Sequence, residues 1–120
     1  MEIFKAFTFD AAHRLPNLPK THKCSRLHGH TFRVEIHVNG SLLDGYDWVI
    51  DFSDIVEIVH PVIEELDHNY LNDIVGLENP TSENIGKWLW ARLKPSLPIL
   101  AKIIVQESPN SGAVYQGGVM

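Results

Sequence analysis

From His30 to Val38 the chain alternates without a break: His30, Phe32, Val34, Ile36 and Val38 share one parity, while Thr31, Arg33, Glu35 and His37 take the other. Successive side chains on a strand point to opposite faces, so period two over nine residues demands a strand with one face on a core and one toward water. A helix through the same residues would spread its apolar groups around its whole circumference. Ile3, Phe7, Phe9 and Ala11 repeat the pattern with His13 on the same parity. Strands are therefore expected over about 2–13 and 28–39, joined by an irregular loop over 14–27 that holds prolines and lysines. A turn at Asn39-Gly40 and a short strand near 46–50 complete an expected meander.

After Asp51 the period changes. Phe52, Ile55, Val56, Val59, Ile63 and Leu66 recur at helical spacing behind Asp51 or Ser53 as N-cap, and Pro61 is expected to kink or restart that helix. A second helix is expected from Ser82 to Lys94, entered through Asn79-Pro80-Thr81 and stopped by Pro95, with Ile85, Leu89 and Leu93 inward. Strands return over 101–107 and 113–116 around the turn-rich Ser108-Pro109-Asn110-Ser111-Gly112. The order is ββααββ in one α+β domain over residues 1–120, a four-stranded antiparallel sheet with two helices on one face. The edges and open face of such a sheet favour assembly with further copies.

The alternation carries a second message. His28 and His30 fall on the apolar parity, roughly 6.6 Å apart along a strand, and His13 lies on the apolar parity of the first strand. A histidine facing a core needs a partner for each ring nitrogen, and a metal on one with an acceptor on the other meets that need. Three imidazoles leave zinc one open position, the arrangement of a catalytic rather than a structural zinc. Gly29, between two of them, is expected to let backbone and metal approach closely.

The remaining chemistry clusters nearby. Cys24 is the only cysteine, so no internal disulfide forms, and two readings stand: a thiolate base or nucleophile stabilised by the metal and by Lys23 or Arg26, or a fourth ligand that closes the site. Asp67-His68 is either an oriented acid-base pair or a helix-terminal histidine with a solvated carboxylate. Glu107 shares parity with Ile103 and Val105, so it either faces inward, able to accept two parallel hydrogen bonds from a guanidine-like ring edge, or ends the strand in water. Thr81 and Ser82 serve as N-cap, or leave helix amides free for a ligand. His22, His37 and His60 read as surface residues, with His22 the one reserve ligand.

Charge and composition narrow the class. A net charge of −5 argues against general nucleic-acid binding, yet no acidic residue falls between Asp10 and Glu35, and Arg14, Lys20, Lys23, Arg26 and Arg33 make up half of the basic residues. That bias is either a solvated loop or an attraction for a polyanionic small substrate. The opening residues show no basic stretch leading into an apolar one, and no run is long enough to span a bilayer, so a cytoplasmic location without a membrane partner is expected.

With these residues in view, the chain resembles the 6-pyruvoyltetrahydropterin synthase superfamily, most closely its bacterial 6-carboxytetrahydropterin synthase branch. The resemblance runs nearly end to end, through the segments Phe7 to Leu15, Cys24 to His30, Trp48 to Phe52, Leu66 to Asn72, Glu78 to Glu83, and Glu107-Ser108. The pyruvoyl enzymes place their cysteine further from the His-Gly-His, and a folate-related branch has glutamate where Cys24 stands. The resemblance implies the tunnelling fold (T-fold), with trimers closing a twelve-stranded barrel, two trimers stacking into a homohexamer, and active sites at subunit boundaries. It implies zinc on His13, His28 and His30, a catalytic set of Cys24, Asp67 and His68, a pterin anchor at Glu107, and supporting pterin contacts from Thr81 and Ser82. The implied reaction is a carbon-carbon lyase step of queuosine (7-deazaguanine) biosynthesis. It converts the small-molecule substrate 7,8-dihydroneopterin triphosphate to 6-carboxy-5,6,7,8-tetrahydropterin, acetaldehyde and triphosphate. A pyruvoyl-type or sepiapterin-cleaving activity, and a non-catalytic zinc-binding assembly domain, are the alternatives.

Overall fold

The computed structural model describes residues 1–118; the last two positions of the domain expected over 1–120 lie outside them. The two alternating segments form β1 (Glu2–His13) and β2 (His28–Asn39), paired antiparallel from Glu2 opposite Asn39 to His13 opposite His28. Two helices follow, α1 (Phe52–Leu66) and α2 (Ser82–Leu93), then β3 (Leu100–Ser108) and β4 (Ser111–Tyr115). The sheet order is β1-β2-β3-β4, antiparallel throughout. Short 3₁₀ turns occupy Lys23–Ser25 and Leu71–Asp73.

Both helices pack on the sheet face that carries Phe9, Phe32, Val34, Ile36, Ile103 and Val105, all buried. Phe9 stacks on Phe32 with ring centroids 4.9 Å apart. From α1 come Ile55, Val59, Val62, Ile63 and Leu66, and from α2 Ile85, Leu89 and Leu93. Val62 takes the buried place the periodicity gave to Phe52, which is exposed at the first turn. Gly86 faces the sheet from α2, where a Cβ would stand in ordinary contact with Tyr115 and Val105 at 3.5 and 3.7 Å. The opposite face of the sheet is uncovered and leaves Phe4 and Val114 exposed.

Four expectations change. No strand forms near 46–50: Gly45 and Asp47 adopt positive φ, and Leu43 N–H donates to Trp48 O at 2.8 Å, so the segment closes as a loop with Val49 turned into the core. Helix α1 runs unbroken through Pro61, which sits on the solvent side where the carbonyl it leaves unpaired is open to water. His37 is buried although it lies on the uncovered face. Its ring stacks on Phe4 and its nitrogens lie 3.2 Å from Glu2 and 2.9 Å from Glu35, so neighbouring side chains cover it. The last hairpin is tighter than expected, with Ser108 paired to Ser111. The bulge there brings backbone so close that a Cβ on Gly112 would stand 2.7 Å from Val105 O.

Candidate metal centre and active site

His13 ends β1, His28 begins β2, and the ladder sets Ala11 opposite His30, so three imidazoles meet at one end of the long hairpin on the helix-covered face. One ligand atom from each lies within 4.8 Å of the others. The rings stand steeply to one another, at 63°, 82° and 89°, with centroids 4.6 to 5.1 Å apart. Phe32 presents its ring at 5.5 Å to both His13 and His30, an apolar floor beneath them.

Hydrogen bonds on the far side of two rings fix which nitrogen is offered. His13 Nδ1–H donates to Pro80 O at 2.8 Å, and His28 Nδ1–H donates to Arg26 O at 2.7 Å, leaving Nε2 of each as the free atom. His13 Nε2 and His30 Nε2 are buried without a hydrogen-bond partner. Two orphaned buried nitrogens beside a third free imidazole fit a divalent cation of the zinc type. Burial depresses the basicity of His13 and holds it neutral, as a ligand must be, against the opposing pull of the Pro80 carbonyl. Among the described residues no cysteine, aspartate or glutamate joins the trio within that 4.8 Å. The Gly29 expectation fails: a Cβ there would meet only Ala11 O at 3.6 Å, an ordinary contact, on the side away from the imidazoles.

Glu107 comes to the mouth of this cluster. Its Oε2 lies 3.3 Å from His30 Nε2, off the line of a hydrogen bond, and its Oε1 accepts from the Ser82 hydroxyl at 2.9 Å. The two helix-start residues divide their labour: Thr81 Oγ1 caps α2 by accepting from Asn84 N–H at 3.1 Å, and buried Ser82 holds Glu107. Cys24 sits half-buried on the 3₁₀ turn, its N–H donating to His22 Nδ1 at 3.1 Å. It lines a cavity of about 460 Å³ with Lys23, His28, His30 and Glu107. His22 therefore shapes the cysteine turn and stands outside the imidazole cluster.

Asp67 and His68 lie elsewhere. The chain leaving α1 runs beside edge strand β1, where Asp67 Oδ1 accepts from Asp10 N–H at 2.9 Å and Oδ2 lies 3.0 Å from His68 Nδ1. Those contacts, led by the Asp10 amide, hold the Asp67 carboxyl below its ordinary range. His68 is 78% exposed and lines a separate cavity of about 580 Å³ with Asp10, Ala12, Gly29 and Thr31, residues of the uncovered face. The two cavities share only Gly29 and His30. Within one chain the structure thus joins His13, His28, His30, Glu107, Ser82 and Cys24, and sets Asp67-His68 apart.

Sequence reasoning missed Asn72, which accepts from Arg14 N–H at 3.0 Å and donates to Arg14 O at 2.9 Å and Glu78 O at 3.3 Å, latching the base of the basic loop. It also missed Asp10 and Thr31 beside the dyad; a polar pair facing each other across an otherwise apolar-rich hairpin end was the available signal.

A four-stranded antiparallel sheet backed by two helices, with three histidines converging at one end, defines a T-fold protein with a candidate metal centre. The chain belongs to the 6-pyruvoyl tetrahydropterin synthase family, whose profile matches residues 2–118. It is 42% identical over 119 residues to the 6-carboxy-5,6,7,8-tetrahydropterin synthase of Synechocystis, covering 94% of this chain and 91% of that protein. It is 43% identical over 96 residues to the dihydroneopterin monophosphate aldolase of Pyrococcus furiosus, covering 80% and 76%. The fold matches that of Caenorhabditis elegans 6-pyruvoyl tetrahydropterin synthase with a TM-score of 0.88 at 24% identity, over 98% of this chain and 96% of that one. The chain is thus an enzyme of the tetrahydropterin synthase group, and none of its helices is long and apolar enough to cross a membrane.

Proposed function

We propose that the chain, a single domain acting in the cytoplasm, is a zinc-dependent 6-carboxy-5,6,7,8-tetrahydropterin synthase. It converts 7,8-dihydroneopterin triphosphate to the 6-carboxy product with loss of acetaldehyde and triphosphate, on the route to queuosine and related 7-deazaguanines. The observation that carries this reading is the pair of orphaned Nε2 atoms in the His13, His28 and His30 cluster, opening on a cavity that also holds Cys24 and Glu107. Zinc on these imidazoles supplies Lewis acidity toward oxygens of the substrate side chain.

Glu107, aligned by Ser82, accepts the two parallel N–H groups of the pterin's guanidine-like edge. Thr81 holds the start of α2 in place for Ser82. Cys24, which lines the same cavity as Lys23, moves a proton at its sulfur. Lys23 and Arg26 attract the triphosphate; among the described residues neither has an acidic partner within salt-bridge distance. Asp67 orients His68 through the contact of its Oδ2 with Nδ1, leaving Nε2 to exchange a proton with substrate.

Because His68 faces the other side of the sheet, it serves the metal centre of a neighbouring copy. A homohexamer of two stacked trimers supplies that neighbour. The exposed dyad, the uncovered sheet face and the elongated protomer support assembly: the Cα radius of gyration is 15.4 Å, against about 13.6 Å for a compact chain of this length. The relative from Pyrococcus furiosus favours a second reading, an aldolase acting on a dihydroneopterin monophosphate. Mass spectrometry after incubation with each substrate separates them. A carboxylated tetrahydropterin from the triphosphate is expected; turnover of the monophosphate alone assigns the aldolase reading, and a dicarbonyl side chain assigns a pyruvoyl-type synthase.

A further inference from the structure

The geometry points to Asp10, oriented by Thr31, as a positioning residue for the Asp67-His68 pair, an inference that rests on the catalytic reading of that pair. His68 has φ 58°, a left-handed conformation that a non-glycine residue keeps only when its surroundings enforce it. Asp10 supplies most of that enforcement. Its carbonyl accepts from His68 N–H at 2.6 Å, and its N–H donates to Asp67 Oδ1 at 2.9 Å, so one residue of β1 grips both members of the pair through its backbone. Next along the strand, Ala12 N–H donates to Asn69 O at 3.3 Å, and Ala12 bridges Tyr70. An edge strand has these outward groups to offer because no further strand pairs there.

The Asp10 side chain adds a second effect. Its carboxylate lies within 4.8 Å of the ligand atoms of Asp67 and His68. It accepts a 2.5 Å hydrogen bond from the hydroxyl of Thr31, its cross-strand partner on β2. Among the described residues no lysine or arginine pairs with it. The titratable groups around His68 are Asp67 beside it, Asp10 on β1, His30 on β2 and Tyr70 in the turn that follows. A positive charge arising on His68 therefore meets two carboxylates, one in contact and one held nearby by Thr31. Asp10 thereby both sets the ring's direction and places a second negative charge beside it, without touching substrate.

Asp10→Asn tests this cleanly, because it keeps both backbone contacts and removes only the charge. It should lower kcat about fivefold, a small part of what a general acid-base group contributes, with KM and metal content unchanged. Removing a negative charge that lies within 4.8 Å of the pair should move the acidic limb of the kcat–pH profile to lower pH. Thr31→Val should move both in the same direction by less, and Thr31→Ser should restore them. If Asp10→Asn misfolds, the valine and serine pair at position 31 decides the question. Wild-type kcat and pH profile in Asp10→Asn, with Asp67→Asn impaired, overturns the role of Asp10 alone; wild-type activity in Asp67→Asn overturns the catalytic reading as well.

Discussion

Thr81 and Ser82 are adjacent hydroxyl residues at one helix start, and the structure gives them separable tasks. Removing the Thr81 cap leaves Asn84 N–H without its acceptor, at a cost of about 1 kcal/mol of stability. With an unfolding entropy of about 2.1 cal/mol/K per residue, that lowers the melting temperature of a 120-residue chain by about 4 °C. Removing the Ser82 hydroxyl takes one charge-assisted hydrogen bond from Glu107. Such a bond contributes about 1.5–3 kcal/mol when buried; with Glu107 33% exposed, about 1 kcal/mol is the appropriate figure. If Glu107 anchors the substrate, Ser82→Ala raises KM about fivefold with a thermal shift similar to that of Thr81→Ala, whose own KM stays at the parent value. Calorimetry and steady-state kinetics on the two alanine variants read both numbers. An unchanged KM in Ser82→Ala, or a kinetic defect that follows Thr81 instead, refutes the assignment.

Three further outcomes follow from the geometry. Cys24→Ala should retain metal and lose turnover, since the thiol lies outside the imidazole cluster; full turnover would remove it from the chemistry. Gly29→Ala should bind metal as the parent does, because the added methyl meets only Ala11 O at 3.6 Å; metal loss would restore the close-approach idea. The Glu2 carboxyl is depressed chiefly by Lys102, and the Glu35 carboxyl chiefly by His37, both below the ordinary 4.5. Depressed carboxyls contribute stability that is complete above their unfolded value and lost as pH falls through the folded one. Melting temperature should therefore decline below about pH 4.5, and His37→Gln, which cannot engage both carboxylates, should flatten that decline; identical slopes would refute the contribution.

The inner wall of the site was legible because strand parity is a hard geometric constraint. Once Phe32 and Val34 face the core, His30 and His28 must also, and the same logic places His13 and Glu107. Parity says nothing about which side chains fold over one another, so burial of His37 beneath Phe4, Glu2 and Glu35 escaped it. The loop at 46–50 misled for a related reason: Trp48 and Ile50 alternate like a strand, but positive φ at Gly45 and Asp47 turns the backbone away from any ladder partner. Pro61 signalled a break that solvent exposure makes unnecessary. The placement of Asp67-His68 was beyond local pattern altogether. It depends on where the chain leaving α1 meets the edge of β1, a contact across 57 residues of sequence.

If His13, His28 and His30 hold one divalent cation, they leave one coordination place free. Metal analysis and X-ray absorption on resting protein purified without chelators test it directly. One zinc per chain is expected, with three nitrogen scatterers near 2.0–2.1 Å and one further light atom. A sulfur scatterer near 2.3 Å, a fourth protein ligand, or no stoichiometric metal would contradict it.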